Sequence, residues 1–385
     1  MIARNVGAAC GRPSQRGMQR AATGRPYKKG PMKKRFFALL AALSLLLTGC
    51  SGLLERDYTS VTPHNAAPAT EGDPSILRAD SYQELVNALI YFVNGGMEEG
   101  VVRLYTDAEN VEPFLSDACL EVVQEDPLGA YCVEFIKYTV DPVVAYSEAH
   151  LDITYRRTRE QVASIVQATG VTAIRSELES ALSSFAPSRT LRIRYFEEDE
   201  AFIRDLARQA YYAVPACALG MPEIDLSLYP NSGQQRIVEI LLRYPLEHAE
   251  LEARRDVLSL RLEELAAPLS SLREKLPAAA RAVLEAGEYD PQGGTTAYDL
   301  LEDGAACSEG LALAFAALCR ELDISCQVAW GELNGEPRFW NIVQTEAGWR
   351  HLDLPESGEL PYTDQQLLEL GYLWDMSAFP SCTQT

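Results

Sequence analysis

The sequence predicts an α+β chain in which a duplicated α+β module precedes a C-terminal domain made of one helix and a small antiparallel sheet. Three observations carry that expectation. Glu84-Leu85-x-x-Ala88-Leu89-x-x-Phe92 recurs as Glu177-Leu178-x-x-Ala181-Leu182-x-x-Phe185, and the segments after each copy keep the same spacing of about 90 residues. Leu311, Phe315, Leu318 and Leu322 recur at i, i+4, i+7 and i+11, one apolar face of a helix that starts after Cys307. The runs Ile324 to Trp330, Arg338 to Gln344 and Trp349 to Leu354 then read as three strands, joined through Asn334-Gly335 and Glu346-Ala347-Gly348.

In chain order, residues 1–31 are basic and without periodicity, and are expected to lie upstream of a true start at Met32. Residues 32–49 hold Lys33-Lys34-Arg35, the apolar run Phe36 to Leu47 and the small residues Thr48-Gly49 before Cys50. That pattern is a secretory signal, too short for an ordinary membrane span. It looks like a bacterial lipoprotein signal, which implies lipid on Cys50 and a membrane anchor on the extracytoplasmic face of a bacterial cell membrane. Residues 50–80, rich in Pro, Ala, Thr and Asp, read as a flexible tether carrying a solvated His64.

Residues 81–157 and 170–245 are expected to be α+β repeats 1 and 2, each a helix, a strand, a second helix and a hairpin. The strands are Val101 to Tyr105 and Leu191 to Tyr195, the second helices Val111 to Gln124 and Asp199 to Ala213, and the hairpins Ala130 to Tyr155 and Met221 to Tyr244. No chemistry is legible in them. Glu197-Glu198-Asp199-Glu200 lacks the spacing of a calcium loop, and Arg156, Arg157 and Arg159 read as cations at a strand end. His150 and His248 stand apart from any cysteine or carboxylate motif. Residues 246–385 form the last domain. It opens on a charged amphipathic helix over Glu247 to Leu265, after which Pro268 and Pro277 are expected to break and restart helices, with a loop over Gly287 to Gly294.

Composition excludes one class of partner. From Cys50 onward 24 basic residues face 55 acidic ones, a surface that repels nucleic acid. No cofactor is expected, and no metal, because the cysteine spacing contains no paired C-x-x-C. A bridge from Cys319 or Cys326 to Cys382 is the best-placed disulfide, while Cys132 and Cys217 read as small buried apolar residues.

Cys307 carries the functional question. A helix start stabilises a thiolate, the nucleophilic form of cysteine, but acyl transfer also needs a proton carrier and a group that orients it. A cysteine that merely packs is the alternative. The last third of the chain resembles the transglutaminase-like (papain-related) superfamily, in which a cysteine opens the helix, a His-x-Trp-Asn strand brings the histidine, and an aspartate ends the next strand. By that resemblance Cys307 is the nucleophile, Trp340 and Asn341 are the supporting pair, and Asp353 is the aspartate. Thr296-Ala297-Tyr298 and Gly371-Tyr372-Leu373-Trp374-Asp375 resemble the family's flanking segments.

Arg338 occupies the histidine's position. Guanidinium has no acceptor lone pair and does not deprotonate in proteins, so it cannot take the thiol proton. A bidentate Arg338–Asp353 pair is the expected result. His351 lies on the strand face shared with Asp353 and could substitute, although packing is its preferred reading. Two functions follow. One is a membrane-anchored, cell-surface pseudoenzyme that keeps a cleft for a peptide, protein or cell-wall ligand. The other is an active thiol-dependent acyltransferase or peptidase on such material. The missing proton carrier favours the first.

Overall fold

Two units of the same path, β-α-β-α-β-β, precede the cysteine domain. The structure is a computed structural model that describes residues 68–70, 72–196 and 198–383. The upstream start, the signal segment, Cys50 and His64 lie outside these residues.

In the first unit, strand β1 (Ala69–Thr70) pairs with β2 (Ile76–Ala79), followed by helix α1 (Tyr82–Asn94) and β3 (Glu99–Leu104). Helices α2 (Ala108–Gln124) and α3 (Pro127–Cys132) then lead into the hairpin β4 (Val133–Val143) and β5 (Tyr146–Tyr155). Ser81 caps α1 by accepting the Glu84 N–H, and α1 buries Leu85, Val86, Ala88, Leu89, Phe92 and Val93 against the sheet. The sheet order is β1-β2-β3-β5-β4, with β2 and β3 parallel and the rest antiparallel.

A short helix α4 (Arg159–Ala163) leads to the second unit: β6 (Val166–Ala168), α5 (Gly170–Ser183), β7 (Ser188–Ile193), α6 (Glu200–Ala213), a 3-10 turn at Pro215–Cys217, β8 (Glu223–Tyr229) and β9 (Arg236–Arg243). Its order, β6-β7-β9-β8, reproduces β2-β3-β5-β4, again with the first two strands parallel.

The opening strands β2 and β6 depart from the sequence expectation, which began each unit at its helix and gave residues up to 80 to the tether. At three or four residues they are too short for alternation to register, and their partners are supplied by tertiary pairing.

The first unit covers the second. Helix α3 packs on β8 and β9, Tyr131 meets Tyr229 edge-on at 5.4 Å, and Arg157 pairs with Glu239 at 2.6 Å.

The final domain starts with α7 (His248–Leu269) and α8 (Lys275–Ala286). Pro268 does not break α7 where expected. It sits in the last turn and the helix runs on to Leu269, while Pro277 lies in the first turn of α8, where a missing N–H costs nothing. The expected loop at Gly287 to Gly294 is instead a strand, β10 (Glu288–Gly294), parallel to β11 (Ala305–Ala306) after the short α9 (Ala297–Leu301).

Helix α10 (Ser308–Glu321) then lies against a four-stranded sheet of order β14-β13-β12-β15. Its strands are β12 (Cys326–Leu333), β13 (Glu336–Thr345), β14 (Gly348–Leu352) and β15 (Tyr372–Leu373). Helices α11 (Leu354–Ser357) and α12 (Asp364–Glu369) lie between β14 and β15. One sheet face, with Val328, Val343 and Leu352, joins the α10 core. The other, with Ala329, Trp340 and Ile342, packs on Leu367, Tyr372 and Cys382. Among the described residues no helix is long and apolar enough to cross a membrane.

Candidate active site

Strand β11 delivers the chain into α10 at Cys307. The Cys307 N–H donates to the Gly294 carbonyl at 2.9 Å, which fixes the entry from the β10 side. Cys307 is the N-cap in extended backbone, and its thiol makes no capping hydrogen bond. It is half-buried and points its residue into a cleft of about 490 Å³ that it shares with Tyr289, Gln292, Ser308, Pro337 and Arg338. Gly310 lets the helix approach this closely: a Cβ there would lie 2.6 Å from the Ala306 side chain and 2.8 Å from the Thr296 carbonyl.

Arg338 and Asp353 meet beneath the cleft. Arg338 Nε donates to Asp353 Oδ2 at 2.7 Å and Nη2 to Oδ1 at 2.8 Å, a bidentate pair between a 5 % exposed arginine and a fully buried carboxylate. Tyr372 donates its hydroxyl to Oδ2 at 2.7 Å. The remaining terminal nitrogen, Nη1, donates to the Tyr289 hydroxyl at 2.8 Å, and the guanidinium carbon lies 5.2 Å from that ring's centroid. Burial would lower the arginine's pKa, but the hydrogen bonds and charge of Asp353 outweigh it and hold the group above its ordinary value. Arg338 is therefore a permanent cation, and each of its three nitrogens is engaged.

His351 serves another cluster. It is fully buried, and its Nδ1 accepts the Trp340 indole N–H at 2.9 Å. Indole nitrogen only donates, so the ring hydrogen of neutral His351 sits on Nε2 and donates to Asp364 Oδ1 at 2.9 Å. Asp364 Oδ2 in turn accepts from the Ser381 hydroxyl at 3.0 Å and the Cys382 N–H at 2.9 Å.

Ligand atoms of His351, Asp364 and Cys382 lie within 4.8 Å of one another, a spacing that could hold a metal. A histidine bound to metal through Nε2 normally carries its hydrogen on Nδ1, where Trp340 already donates. The trio fits a hydrogen-bonded clasp on the C-terminal segment rather than a metal site.

The other sequence candidates divide in the same way. Trp340 meets Tyr372 and Trp374 edge-on, and Asn341 Nδ2 donates to the Ala312 carbonyl of α10 at 2.9 Å, so both tie the sheet to its neighbours. His150 lies beside Glu148 and Asp141 on the first sheet, and His248 opens α7. Among the described residues no histidine lines the cleft. The seven cysteines described are free. Cys382 is buried in the clasp and not bridged to Cys319 or Cys326. Cys132 is fully buried as expected, whereas Cys217 is half-buried. Tyr289 and the hydroxyl role of Tyr372 had no sequence signal, because each hydroxyl bonds a residue far away in the chain.

Residues 262–354 match the family model of the transglutaminase-like superfamily. The chain carries a transglutaminase-like domain. Among solved structures, a crystal structure of a TGase aligns at 15% identity over 60% of this chain and 68% of that one, with a TM-score of 0.25. A candidate cysteine protease from Cytophaga hutchinsonii aligns at 14% identity over 35% of this chain and 62% of its own, with a TM-score of 0.23. A candidate protease from Parabacteroides distasonis aligns at 11% identity over 69% of this chain and 42% of its own, with a TM-score of 0.20. Scores this low say nothing about chemistry. A search of curated proteins finds no match.

Two outcomes are expected of the transglutaminase-like domain. Asp353→Asn leaves the buried guanidinium with only the exposed Glu356, 3.6 Å from Nη2, as counter-charge and should cost about 3–5 kcal/mol in urea unfolding. A loss below about 1 kcal/mol would show that the pair is not the strut the geometry describes.

The clasp predicts acid sensitivity. Burial lowers the His351 pKa, partly opposed by Asp364, so the unfolded chain takes up this proton more readily than the folded one. Its contribution to stability is present above the unfolded value of about 6.5 and is lost as pH falls toward the folded value. The stability difference between the parent and His351→Gln should shrink on acidification through that window. A difference independent of pH would refute the assignment.

Proposed function

We propose that this chain is a lipid-anchored protein on the extracytoplasmic face of a bacterial membrane, whose transglutaminase-like domain binds a peptide, protein or cell-wall ligand in the Cys307 cleft without turning it over. The observation that carries the reading is Arg338. It stands where the proton carrier is needed and cannot accept a proton, and its nitrogens are committed to Asp353 and Tyr289. His351 is not a substitute, since both of its ring nitrogens are engaged in the clasp. What remains supports binding: an open cleft, a helix N-terminus and a half-buried thiol. We also read the two β-α-β-α-β-β units as products of one duplication, supported by their common sheet order and the recurring Glu-Leu-x-x-Ala-Leu-x-x-Phe segment.

Peptide ester and amide substrates should show no turnover by the wild type beyond a Cys307→Ala control. Arg338→His should introduce thiol-dependent turnover, within the roughly 10²–10⁴-fold that general acid–base catalysis typically contributes. Wild-type turnover that disappears with Cys307→Ala would overturn the proposal in favour of an enzyme.

The anchor has its own test. Full-length protein expressed in a bacterium supplied with labelled fatty acid should carry the label and fractionate with membranes, and Cys50→Ser should abolish both. Retention of label by that variant removes Cys50 as the anchor.

A further inference from the structure

The hairpin of β4 and β5 ends in an apolar tip that the first unit leaves bare. Val143 pairs with Tyr146, so Val144-Ala145 form a two-residue turn. Pro142, Val143, Val144 and Ala145 are all exposed, Val144 completely. Tight hairpin turns favour Asn, Asp and Gly, and this one uses none of them. The second unit supplies an internal comparison. Its β8–β9 hairpin turns through Pro230-Asn231-Ser232-Gly233-Gln234-Gln235, a polar loop of ordinary composition. The apolar turn belongs to the first unit's hairpin and not to the second's.

A collar of tyrosine and arginine stands behind the tip. The rings of Tyr105 and Tyr146 lie 5.2 Å apart. The guanidinium carbon of Arg78 is 4.2 Å from the Tyr105 centroid, and that of Arg103 is 5.4 Å from the Tyr146 centroid. Both arginines also pair with carboxylates at 2.9 Å, Arg78 with Asp80 and Arg103 with Glu148. Apolar groups in front, then tyrosines and arginines, is the order met from the acyl boundary outward through lipid headgroups.

The register shows where the N-terminal chain reaches this sheet. Ala69 lies opposite Arg78, Arg78 beside Arg103, Arg103 opposite Glu148, and Glu148 opposite Asp141. That row is two residues short of Val143. Strand β1 runs away from it, with Thr70 opposite Leu77, so the chain before Ala69 arrives at the tip's end of the sheet. Residues 51–67 join Cys50 to Pro68, a contour of at most about 60 Å.

We propose that the Pro142–Ala145 tip inserts at the headgroup–acyl boundary of a lipid bilayer and holds the first unit against the membrane. The proposal rests on the Cys50 anchor for the nearness of a membrane, not for the tip's own affinity. Because both arginines are paired with carboxylates, burial of Val143 and Val144 drives insertion, and anionic lipid is not required.

The test places an indole at the tip with Val144→Trp and uses two forms of the chain. One is the full-length protein expressed in a bacterium and reconstituted in vesicles. The other runs from Ser51 with a histidine tag in place of Cys50, held on vesicles that carry a nickel-chelating lipid. The vesicles are phosphatidylcholine, with or without bromine on the upper acyl chain. Emission added by the substitution, taken as the difference from the parent, should shift to the blue and lose about half or more of its intensity to brominated lipid. The quenching should be the same at low and high salt. Adding Val143→Asp should abolish it while the circular dichroism stays at the parent's. Absence of quenching in the tagged form would overturn the proposal, as would quenching that high salt removes. A blue shift without vesicles that grows with protein concentration would overturn it in favour of contact between copies. Quenching in the tagged form, with no lipid on Cys50 in the full-length form, would remove the anchor and leave the tip's affinity standing.

Discussion

The site depends on a buried ion pair. Taking a guanidinium and a carboxylate out of water costs several kcal/mol for each, and their attraction offsets this only when geometry is good and the leftover donors and acceptors are satisfied. Arg338 and Asp353 meet both conditions. The fork is bidentate, Tyr372 supplies a further donor to Oδ2, and Tyr289 accepts from Nη1. Four elements are joined at one point: β10 through Tyr289, β13 through Arg338, the end of β14 through Asp353, and β15 through Tyr372. A histidine in the place of Arg338 could present one nitrogen to Asp353 and keep the other free. Arginine holds the strut as a permanent cation with no acceptor lone pair, so it cannot exchange protons.

The rest of the cleft is arranged around that pair. Cys307 still opens α10, held by the Gly294 carbonyl, and Gly310 still lets the helix press against Ala306. Asp353 is paired with a permanently charged arginine, whose guanidinium does not accept a proton. His351 sits two residues from Asp353 without joining it. The sheet's two faces separate the α10 core from the Trp340–Tyr372 cluster, and His351 belongs to the second, where Trp340 and Asp364 hold it.

Much of this was legible residue by residue. The period of Leu311, Phe315 and Leu318 and the Asn334-Gly335 turn follow from local pattern, while the opposition of Arg338 and Asp353 came from the family resemblance read with side-chain chemistry. The Tyr289 and Tyr372 contacts were not legible, because a tyrosine hydroxyl that finds its partner 49 or 19 residues away leaves no periodic trace. Strand β10 was read as a loop for a related reason. Glu288-Tyr289-Asp290-Pro291-Gln292-Gly293-Gly294 has turn composition, and it becomes a strand only because β11 lies parallel to it. Cys382 was misread as half of a bridge because nearness to the chain end says nothing about what the tail packs on, which here is Asp364 and His351.

The two repeated units have an order of their own, and it ends at the cleft. The first unit covers the outer face of the second sheet through Tyr131 of helix α3 and, just after β5, through the Arg157–Glu239 pair. The corresponding face of the first sheet carries Glu148, His150 and Asp152 and accepts solvent, as suits the outermost member of a stack. The 3-10 turn at Pro215–Cys217 holds the position in the second unit that α3 holds in the first, and it packs on α10. From the same unit Tyr212 donates to Glu309 at 2.8 Å, two residues after Cys307, and stacks on Trp330 and Phe339. Phe339 lines the cleft beside Arg338, and its N–H is bonded by the Ser308 hydroxyl. The second unit thus buttresses one wall of the cleft and the first turn of α10, so the repeats belong to the site's support and are not a spacer alone.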